Sequence, residues 1–212
     1  MNSRILICAG ALALLSSCGG SGDGGASAVL NATLPSGANS VLLTGEPAGS
    51  FGEAFLDAEG NGVLLASGGD ERPVAAYYDI KRNTLRRVPA LDASLQLGVE
   101  AGATRPVSTT AITLSGLAGS YSAIDQDNKV SGFTVAGDGA ITPAGTGCKV
   151  SGTIESKSGI TGVLPLFITL SGCGSKDGSY QGYVISAAEY APATFRIVAE
   201  NQQSFIDMLA FK

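Results

Sequence analysis

Histidine is missing from this chain of 212 residues, and that absence removes several chemistries at once. Catalysis by a Ser-His-Asp triad or by a Cys-His pair needs an imidazole as the base, so both are excluded. The common zinc sites that contain histidine are excluded for the same reason. The Gly-x-Ser-x-Gly, Ser-x-x-Lys and P-loop motifs do not occur either, so the usual serine nucleophiles and this phosphate-binding loop are not predicted.

A membrane-spanning apolar run is also lacking. The apolar run at residues 5–15 has 11 residues, whereas a helix that crosses a bilayer needs about 20. Arg4 precedes the run, and the small residues Ser16 and Ser17 follow it. A charged start, a short apolar segment and small residues in this order are typical of a cleaved export signal. We therefore predict a signal peptide at residues 1–17.

A cysteine directly follows those small residues. The sequence Leu15-Ser16-Ser17-Cys18 resembles the lipobox of bacterial lipoproteins. The resemblance implies that Cys18 is acylated, with palmitate-type chains, and becomes the first residue of the mature protein. Gly19 follows, and by analogy with enterobacterial sorting this favours the outer membrane over the inner one. The alternative is an ordinary signal peptide in which the cysteine is incidental.

The segment after Cys18 is rich in glycine and serine. Residues 18–28 are therefore predicted to be a flexible, lipidated tether. The Gly/Ser-rich part, residues 19–27, has a root-mean-square reach of about 15–18 Å. The tether would hold the folded part of the chain close to the membrane.

Cysteine is scarce, with four residues in the chain. Cys8 lies in the signal and Cys18 is assigned to lipid, which leaves Cys148 and Cys173. An exported chain meets an oxidising compartment, so these two are predicted to form a disulfide. The rival interpretation, a metal-binding or redox-active thiol pair, lacks both the Cys-x-x-Cys spacing and a histidine. We predict no metal site and no cofactor.

Basic residues are in the minority. The chain has 13 Lys and Arg against 18 Asp and Glu, and a formal net charge of −5, which argues against nucleic acid as a partner. Basic residues nevertheless cluster around a predicted hairpin tip. We interpret Arg82, Arg86 and Arg87, with the neighbouring Tyr78, as a candidate patch for an acidic protein face or an anionic polymer. The alternative is a solvated turn balanced by nearby acidic residues.

Sustained helical periodicity is missing after the signal. From residue 50 onward, short β-prone runs alternate with turns of Gly, Asn, Asp and Ser. This pattern predicts an all-β fold after the signal helix and tether, an antiparallel meander that forms a barrel or a sandwich. The predicted strands are residues 51–58, 63–67, 74–80, 84–88, 120–125, 130–136, 140–142, 149–155, 163–170, 179–187, 193–199 and 204–211.

Alternation along these strands predicts which side chains face the core. Side chains two residues apart on a strand lie on the same face, so Phe195, Ile197 and Ala199 are predicted to share a face. Arg196 is then on the opposite face. Pro165 cannot donate to a ladder and is predicted at a strand start or an edge.

A weakly repeated sequence motif suggests how the chain divides into domains. Gly-Ser-aromatic triplets at residues 49–51, 119–121 and 178–180 each open a predicted strand. Two interpretations stay open: a duplication that gives two related β units, or chance similarity in a Gly-rich β protein. The stretch with the weakest strand signal is predicted to be a linker. The resulting division is an N-terminal β unit at residues 29–91, a linker at 92–110 and a C-terminal β unit with the disulfide at 111–212.

The C-terminal unit carries a spacing of Gly, Cys and Tyr motifs. These are Gly119-Ser120-Tyr121, Gly147-Cys148, Ser151-Gly152, Gly172-Cys173 and Tyr180-x-Gly182. In this spacing the unit loosely resembles β-rich domains of uncharacterised proteobacterial lipoproteins. The resemblance implies antiparallel strands and no known reaction.

Acidic residues offer two further interpretations. Residues 125–129 place oxygen ligands at alternate positions, as calcium loops do, but Lys129 and Val130 stand where such a loop needs an oxygen ligand and a glycine. A hairpin turn is therefore predicted there. A pair of carboxylates from distant strands could serve a glycosidase, although the sequence does not identify the pair.

The predicted function is that of an outer-membrane-anchored lipoprotein with a non-catalytic β-domain that contacts an envelope or surface partner. The partner would be an envelope protein or an anionic polymer, on the periplasmic side or at the cell surface. Two alternatives stay open. A lipocalin-like carrier of a small ligand requires an apolar cavity open at one end. A carboxylate-based hydrolase of envelope polymers requires two acids in a cleft.

Overall fold

The computed structural model of the protein describes residues 28–68, 73–82 and 84–212. The predicted signal peptide, the lipidation site Cys18 and the tether up to residue 27 lie outside these residues. The described chain is all-β, as predicted, and it forms two closed barrels of seven and eight strands. Of the two architectures predicted, the barrel is therefore confirmed.

Seven strands close the first barrel, in the order β1-β7-β2-β3-β4-β5-β6 and back to β1. They are β1 (Ala28–Leu30), β2 (Gly37–Thr44), β3 (Phe51–Leu56), β4 (Gly62–Ser67), β5 (Val74–Lys81), β6 (Thr84–Val88) and β7 (Leu95–Val99). Neighbours are antiparallel except β1 and β7, which run parallel. A two-residue strand, β8 (Arg105–Pro106), pairs with β2 outside the ring.

The linker predicted at residues 92–110 is wrong, because it contains the strand that closes the first barrel. Strand β7 bridges β1 and β2, with Leu95 and Leu97 buried and Gln96 exposed between them. Strands β1 and β2 were not predicted either. All three are short or glycine-bearing, and the pairings that join β1 and β2 to β7 connect segments distant in sequence, so local sequence signals do not locate them. The first β unit therefore extends beyond residue 91, and a short helix, α1 (Leu114–Leu117), precedes the second barrel.

Eight strands form the second barrel as an antiparallel meander, and its last strand pairs with its first. They are β9 (Gly119–Asp125), β10 (Val130–Val135), β11 (Ala140–Ala144), β12 (Lys149–Ile154), β13 (Val163–Ser171), β14 (Gly178–Ile185), β15 (Phe195–Glu200) and β16 (Phe205–Phe211). Each of these strands overlaps one that the sequence predicted.

The alternation predicted for β15 is confirmed. Phe195, Ile197 and Ala199 belong to the core inside the second barrel, and Arg196 faces outward. Pro165 lies near the start of β13, beyond the end of β12, where its carbonyl accepts a hydrogen bond from the Glu155 N–H. The missing N–H of this proline therefore interrupts no ladder between β12 and β13.

The predicted disulfide between Cys148 and Cys173 is confirmed. Cys148 directly precedes β12 and Cys173 follows β13, and these strands are paired neighbours. The bond joins two connections at the same end of the second barrel. Both cysteines pack against the barrel core.

The two barrels pack against each other through their outward faces, and we call this contact the seam. One continuous cluster of buried apolar side chains fills it. The first barrel contributes Phe55, Val63, Leu65, Val74, Tyr77 and Val88, and the second contributes Val163, Ile185, Tyr190 and Val198. Side chains that alternation alone would assign to solvent are thereby buried.

Candidate functional site

Arg86 and Arg87 are consecutive on β6 and therefore face opposite sides of the first barrel. Arg87 points inward beside Tyr78, its cross-strand partner on β5. Arg86 points outward toward the second barrel. Tyr78 is 0% exposed and Arg87 is 8% exposed. The patch predicted from Tyr78, Arg82, Arg86 and Arg87 is therefore not one exposed surface.

A buried ionic cluster closes one end of the first barrel. Arg87 donates to the carboxylate of Glu46 from Nε at 3.2 Å and from Nη2 at 2.8 Å, and the Tyr78 hydroxyl donates to the same carboxylate. Burial raises the pKa of Glu46, but the hydrogen bonds from Arg87 and Tyr78 outweigh burial and hold that pKa below its usual value. The cluster fastens the loop between β2 and β3 to β5 and β6.

Arg86 links the two barrels. Its Nη2 lies 2.9 Å from Asp79 Oδ2 on β5 and 2.8 Å from Glu200 Oε1 at the end of β15. Its Nη1 lies 3.1 Å from Glu200 Oε2, so the contact with Glu200 is bidentate. Burial raises the pKa of Glu200, but the hydrogen bonds from Arg86 outweigh it and lower that pKa. Arg86 is thus engaged by carboxylates of both barrels, and 40% of its side-chain surface stays exposed.

A second ionic cluster lies inside the seam around Arg196, which has no exposed surface. Arg196 Nε and Nη2 lie 2.7 and 2.8 Å from the two oxygens of Asp207, and Nη1 lies 2.7 Å from Glu53 Oε2 on the first barrel. The Tyr190 hydroxyl donates to Glu53 Oε1 at 3.2 Å. Burial raises the pKa of Glu53, although Arg196 opposes this shift. Both carboxylates of this buried cluster depend on Arg196 for charge compensation.

Arg82 is exposed and lies at the opposite end of the first barrel from Glu46. A cavity of about 780 Å³ opens at this end, and we call it the first-barrel concavity. It is lined by residues 30–36, 56–60, 80, 82, 84 and 85. The Arg82 N–H donates to Asn61 Oδ1 at 3.1 Å, and the Asn61 amide donates to Asp57. These bonds join two hairpin turns at the rim and fix the position of Arg82.

A smaller cavity of about 320 Å³ lies at the disulfide end of the second barrel, and we call it the second-barrel mouth. Lys176 folds over this end, with its Nζ 2.6 Å from Asp125 Oδ2 and 2.7 Å from Asp127 Oδ2. The hairpin predicted at residues 125–129 is present, and its carboxylates hold the ammonium group of Lys176. Burial lowers the pKa of Lys176, but its bonds to Asp125 and Asp127 outweigh this and raise it.

Three pairs of acidic residues lie close together because each pair shares one cation. Arg196 joins Glu53 and Asp207, Arg86 joins Asp79 and Glu200, and Lys176 joins Asp125 and Asp127. A glycosidase pair needs a carboxylic acid with a raised pKa beside an open cleft. Glu53 has the raised pKa, but it is 4% exposed inside the seam. Glu200 borders a cleft, but its lowered pKa makes it a poor proton donor.

Among the described residues, no helix combines the length and apolar character that crossing a membrane would require. No group of three or more His, Cys, Asp or Glu side chains in the described ranges could hold a metal ion. Neither a protein-family model, nor a curated protein, nor a solved structure matches this chain. Function is therefore inferred from the geometry of the concavity, the mouth and the seam.

Sequence reasoning missed Glu46 and Glu53, the carboxylates that bind Arg87 and Arg196. Strand alternation could have separated Arg86 from Arg87, because consecutive strand residues point to opposite faces. The acidic partners could not be found in this way. Glu46 lies in a loop, and Glu53 meets an arginine that is 143 residues away in sequence.

Proposed function

We propose that this protein is a non-catalytic bacterial lipoprotein, anchored by lipid at Cys18 in the outer membrane, that binds an envelope partner through the first-barrel concavity. The observation that carries the proposal is the concavity itself. It has a volume of about 780 Å³, with buried apolar side chains such as Leu56 and Ile80 below charged residues at its rim. Concave sites that combine an apolar floor with a few polar groups are typical binding sites.

The anchor is supported by the lipobox-like sequence that ends at Cys18. A single acyl chain binds a membrane only marginally, at about 0.8 kcal/mol per buried methylene, so a lipoprotein-type anchor uses several chains. The tether would join the first barrel at Ala28, the start of β1. Strand β1 ends at Leu30, which lines the concavity, so the tether attachment lies within roughly 7–10 Å of it along the strand. The concavity would accordingly be held near the membrane.

The seam supports the display of the concavity in a fixed orientation. Arg86 and Arg196 each bind carboxylates of both barrels, and an apolar cluster fills the seam. Ion pairs with defined hydrogen-bond geometry restrict rotation of one barrel on the other. A binding surface held on a rigid body loses less conformational entropy when a partner binds.

The charges at the rim favour a protein partner over an anionic polymer. Arg82 carries the positive charge there, and Asp57 and Glu59 carry negative ones. An anionic polymer would meet more like charge than opposite charge at this rim. A protein face with a matching mixture of charges meets complementary groups on both sides.

The anchor is tested by metabolic labelling with a fatty-acid analogue. Cys18→Ser should abolish labelling and leave protein that is uncleaved or released from the membrane fraction. Cys8→Ser, a change within the apolar part of the signal, is the matched control and should be labelled as the unchanged protein is. Labelling of the Cys18→Ser protein would refute the anchor.

The partner surface is tested by photo-crosslinking in cells. A photoreactive amino acid at Thr84, on the rim of the concavity, should give an adduct of defined mass that weakens when Arg82→Glu is added. The same amino acid at Thr153, which is exposed on β12 of the second barrel, is the control and should not give this adduct. Equal adducts at both positions would refute the concavity as the partner site.

A further inference from the structure

The second-barrel mouth has an apolar floor. Leu170, Ile206 and Met208 line it, and none of the three is more than 3% exposed. The disulfide between Cys148 and Cys173 also lines it and packs against the same core. The floor therefore offers mainly aliphatic and sulfur surface to any molecule that enters.

The space above this floor exists because one inward-facing side chain is small. On β10 the inward positions are Ser131, Phe133 and Val135. Deeper in the barrel, Phe133 packs against Tyr121 at a ring-centroid distance of 5.7 Å, so that level is filled. Ser131 lines the mouth and leaves a cavity of about 320 Å³. This volume lies at the lower end of the range of small-molecule sites, about 300–1,000 Å³.

The rim of the mouth is electrically balanced. Lys176 is held by Asp125 and Asp127, and Lys129 adds a second positive charge. Two acids and two lysines leave no net charge with which to select an anion or a cation. A charged ligand would lose hydration on entering, and the zero net charge of the rim would not offset that loss.

We propose that the second-barrel mouth binds a small uncharged molecule that is mainly aliphatic and carries one polar group, such as a medium-chain alcohol. The volume corresponds to roughly ten heavy atoms, taking about 30 Å³ for each small group in a liquid. The chain contacts Leu170, Ile206 and Met208, and the polar group stays at the rim. This site lies on the other barrel from the concavity and does not depend on the partner proposed there.

Met208 provides a direct readout, because the chain contains only two methionines, Met1 and Met208. The full chain carrying Cys18→Ser, which removes the lipid acceptor, is labelled with ¹³C at the methionine methyl groups. The Met208 signal is assigned by its loss in Met208→Leu. Titration with octan-1-ol should shift this signal saturably. No shift at the solubility limit of octan-1-ol would overturn the proposal.

The matched series octan-1-ol, octanoate and octylammonium tests the chemical class of the ligand. Both ions should bind about tenfold more weakly than the alcohol, because burying part of a charged head costs free energy. Equal or tighter binding of either ion would overturn the assignment to an uncharged ligand. Arg82→Glu, at the rim of the concavity, should leave octan-1-ol binding unchanged. The ligand site and the partner site can therefore be refuted independently of each other.

A filling variant tests the location. Ser131→Phe places a ring in the mouth and should weaken octan-1-ol binding by about tenfold or more. Thr134→Phe, on the outward face of the same strand, is the control and should bind as the unchanged protein does. Ser131→Leu serves as a second filling variant if circular dichroism shows that Ser131→Phe is unfolded. Undiminished binding in a folded filling variant would place the ligand elsewhere and overturn the proposal.

Discussion

The guanidinium of Arg196 is shared between Asp207 of its own barrel and Glu53 of the other. Its five donors suit this role, because a planar guanidinium can bind one carboxylate with two parallel hydrogen bonds and still reach a second acid. All three charges are buried in the seam. Removing Arg196 would leave both carboxylates without their cation in an environment of low polarity.

Arg196→Met keeps a similar side-chain length and removes the charge. We expect it to lower the free energy of unfolding by about 3–5 kcal/mol, since Glu53 and Asp207 would stay buried without their partner. Urea unfolding followed by circular dichroism measures the change. Arg82→Met, at an exposed turn, is the control and should change stability by no more than about 0.5 kcal/mol. A loss below about 1 kcal/mol in Arg196→Met would contradict the role given to this cluster.

The pKa of Glu46 predicts one source of acid sensitivity. Its folded-state pKa is lowered by Arg87 and Tyr78, which outweigh burial, so its contribution to stability is present above its ordinary pKa of 4.5 and is lost as the pH falls through the folded value. The contribution of Glu53 to stability depends on pH in the opposite direction. Its pKa is raised by burial, so its contribution is lost as the pH rises through its folded value.

Glu46→Gln should therefore make the free energy of unfolding depend less steeply on pH in acid. Between about pH 5 and pH 3, the free energy of unfolding of this variant should fall less steeply than that of the unchanged protein. Urea midpoints across this range measure the slope. Glu59→Gln, at the exposed rim of the concavity, should keep the original slope, and an equally steep fall in Glu46→Gln would be evidence against the ionised cluster.

At the scale of single elements, β12 and β13 approach each other closely at Gly152. Its φ of 151° lies outside the range that other residues adopt easily, and a Cβ there would lie 2.0 Å from the Phe167 carbonyl oxygen. The strand crossing therefore requires glycine. Glycine is not sterically required at Gly137, in the turn between β10 and β11, because a Cβ added there would meet no atom within 4 Å.

Gly152→Ala should consequently lower the free energy of unfolding by about 2 kcal/mol or more, because the backbone must shift to relieve the contact. Gly137→Ala is the matched control and should stay within about 1 kcal/mol of the unchanged protein. Thermal and urea unfolding of both variants provide the comparison. Similar stabilities of the two would argue against the close crossing.

Most of the second barrel could be predicted from the sequence, whereas part of the first could not. Strand β15, for example, carries two-residue alternation and lies between turn residues, so local rules locate it. Strand β7 has five residues and pairs with β1 and β2, which are far away in sequence. Of the candidate sites, only Arg82 was both predicted and found exposed, because exposure depends on which faces the other barrel covers.

The whole molecule should unfold as one unit, because the seam couples the barrels. Val198 lies on the outward face of β15 and is 0% exposed within the seam. Val198→Asp would bury an unpaired charge there and should separate a single calorimetric transition into two. Thr169→Asp, exposed on the outward face of β13, is the control and should keep one transition. Two transitions in the unchanged protein would contradict the coupling.

The β architecture, the inward and outward faces of β15 and the pairing of Cys148 with Cys173 all follow from the sequence alone. The proposed lipid anchor at Cys18 also depends on sequence alone. Tertiary structure was needed to establish that β7 closes a ring, that Arg86 binds carboxylates of both barrels, that Arg196 is buried, and that cavities open at the barrel ends. The physical reason is range: alternation and turn preferences act over a few residues, whereas barrel closure and docking depend on contacts between residues far apart in sequence.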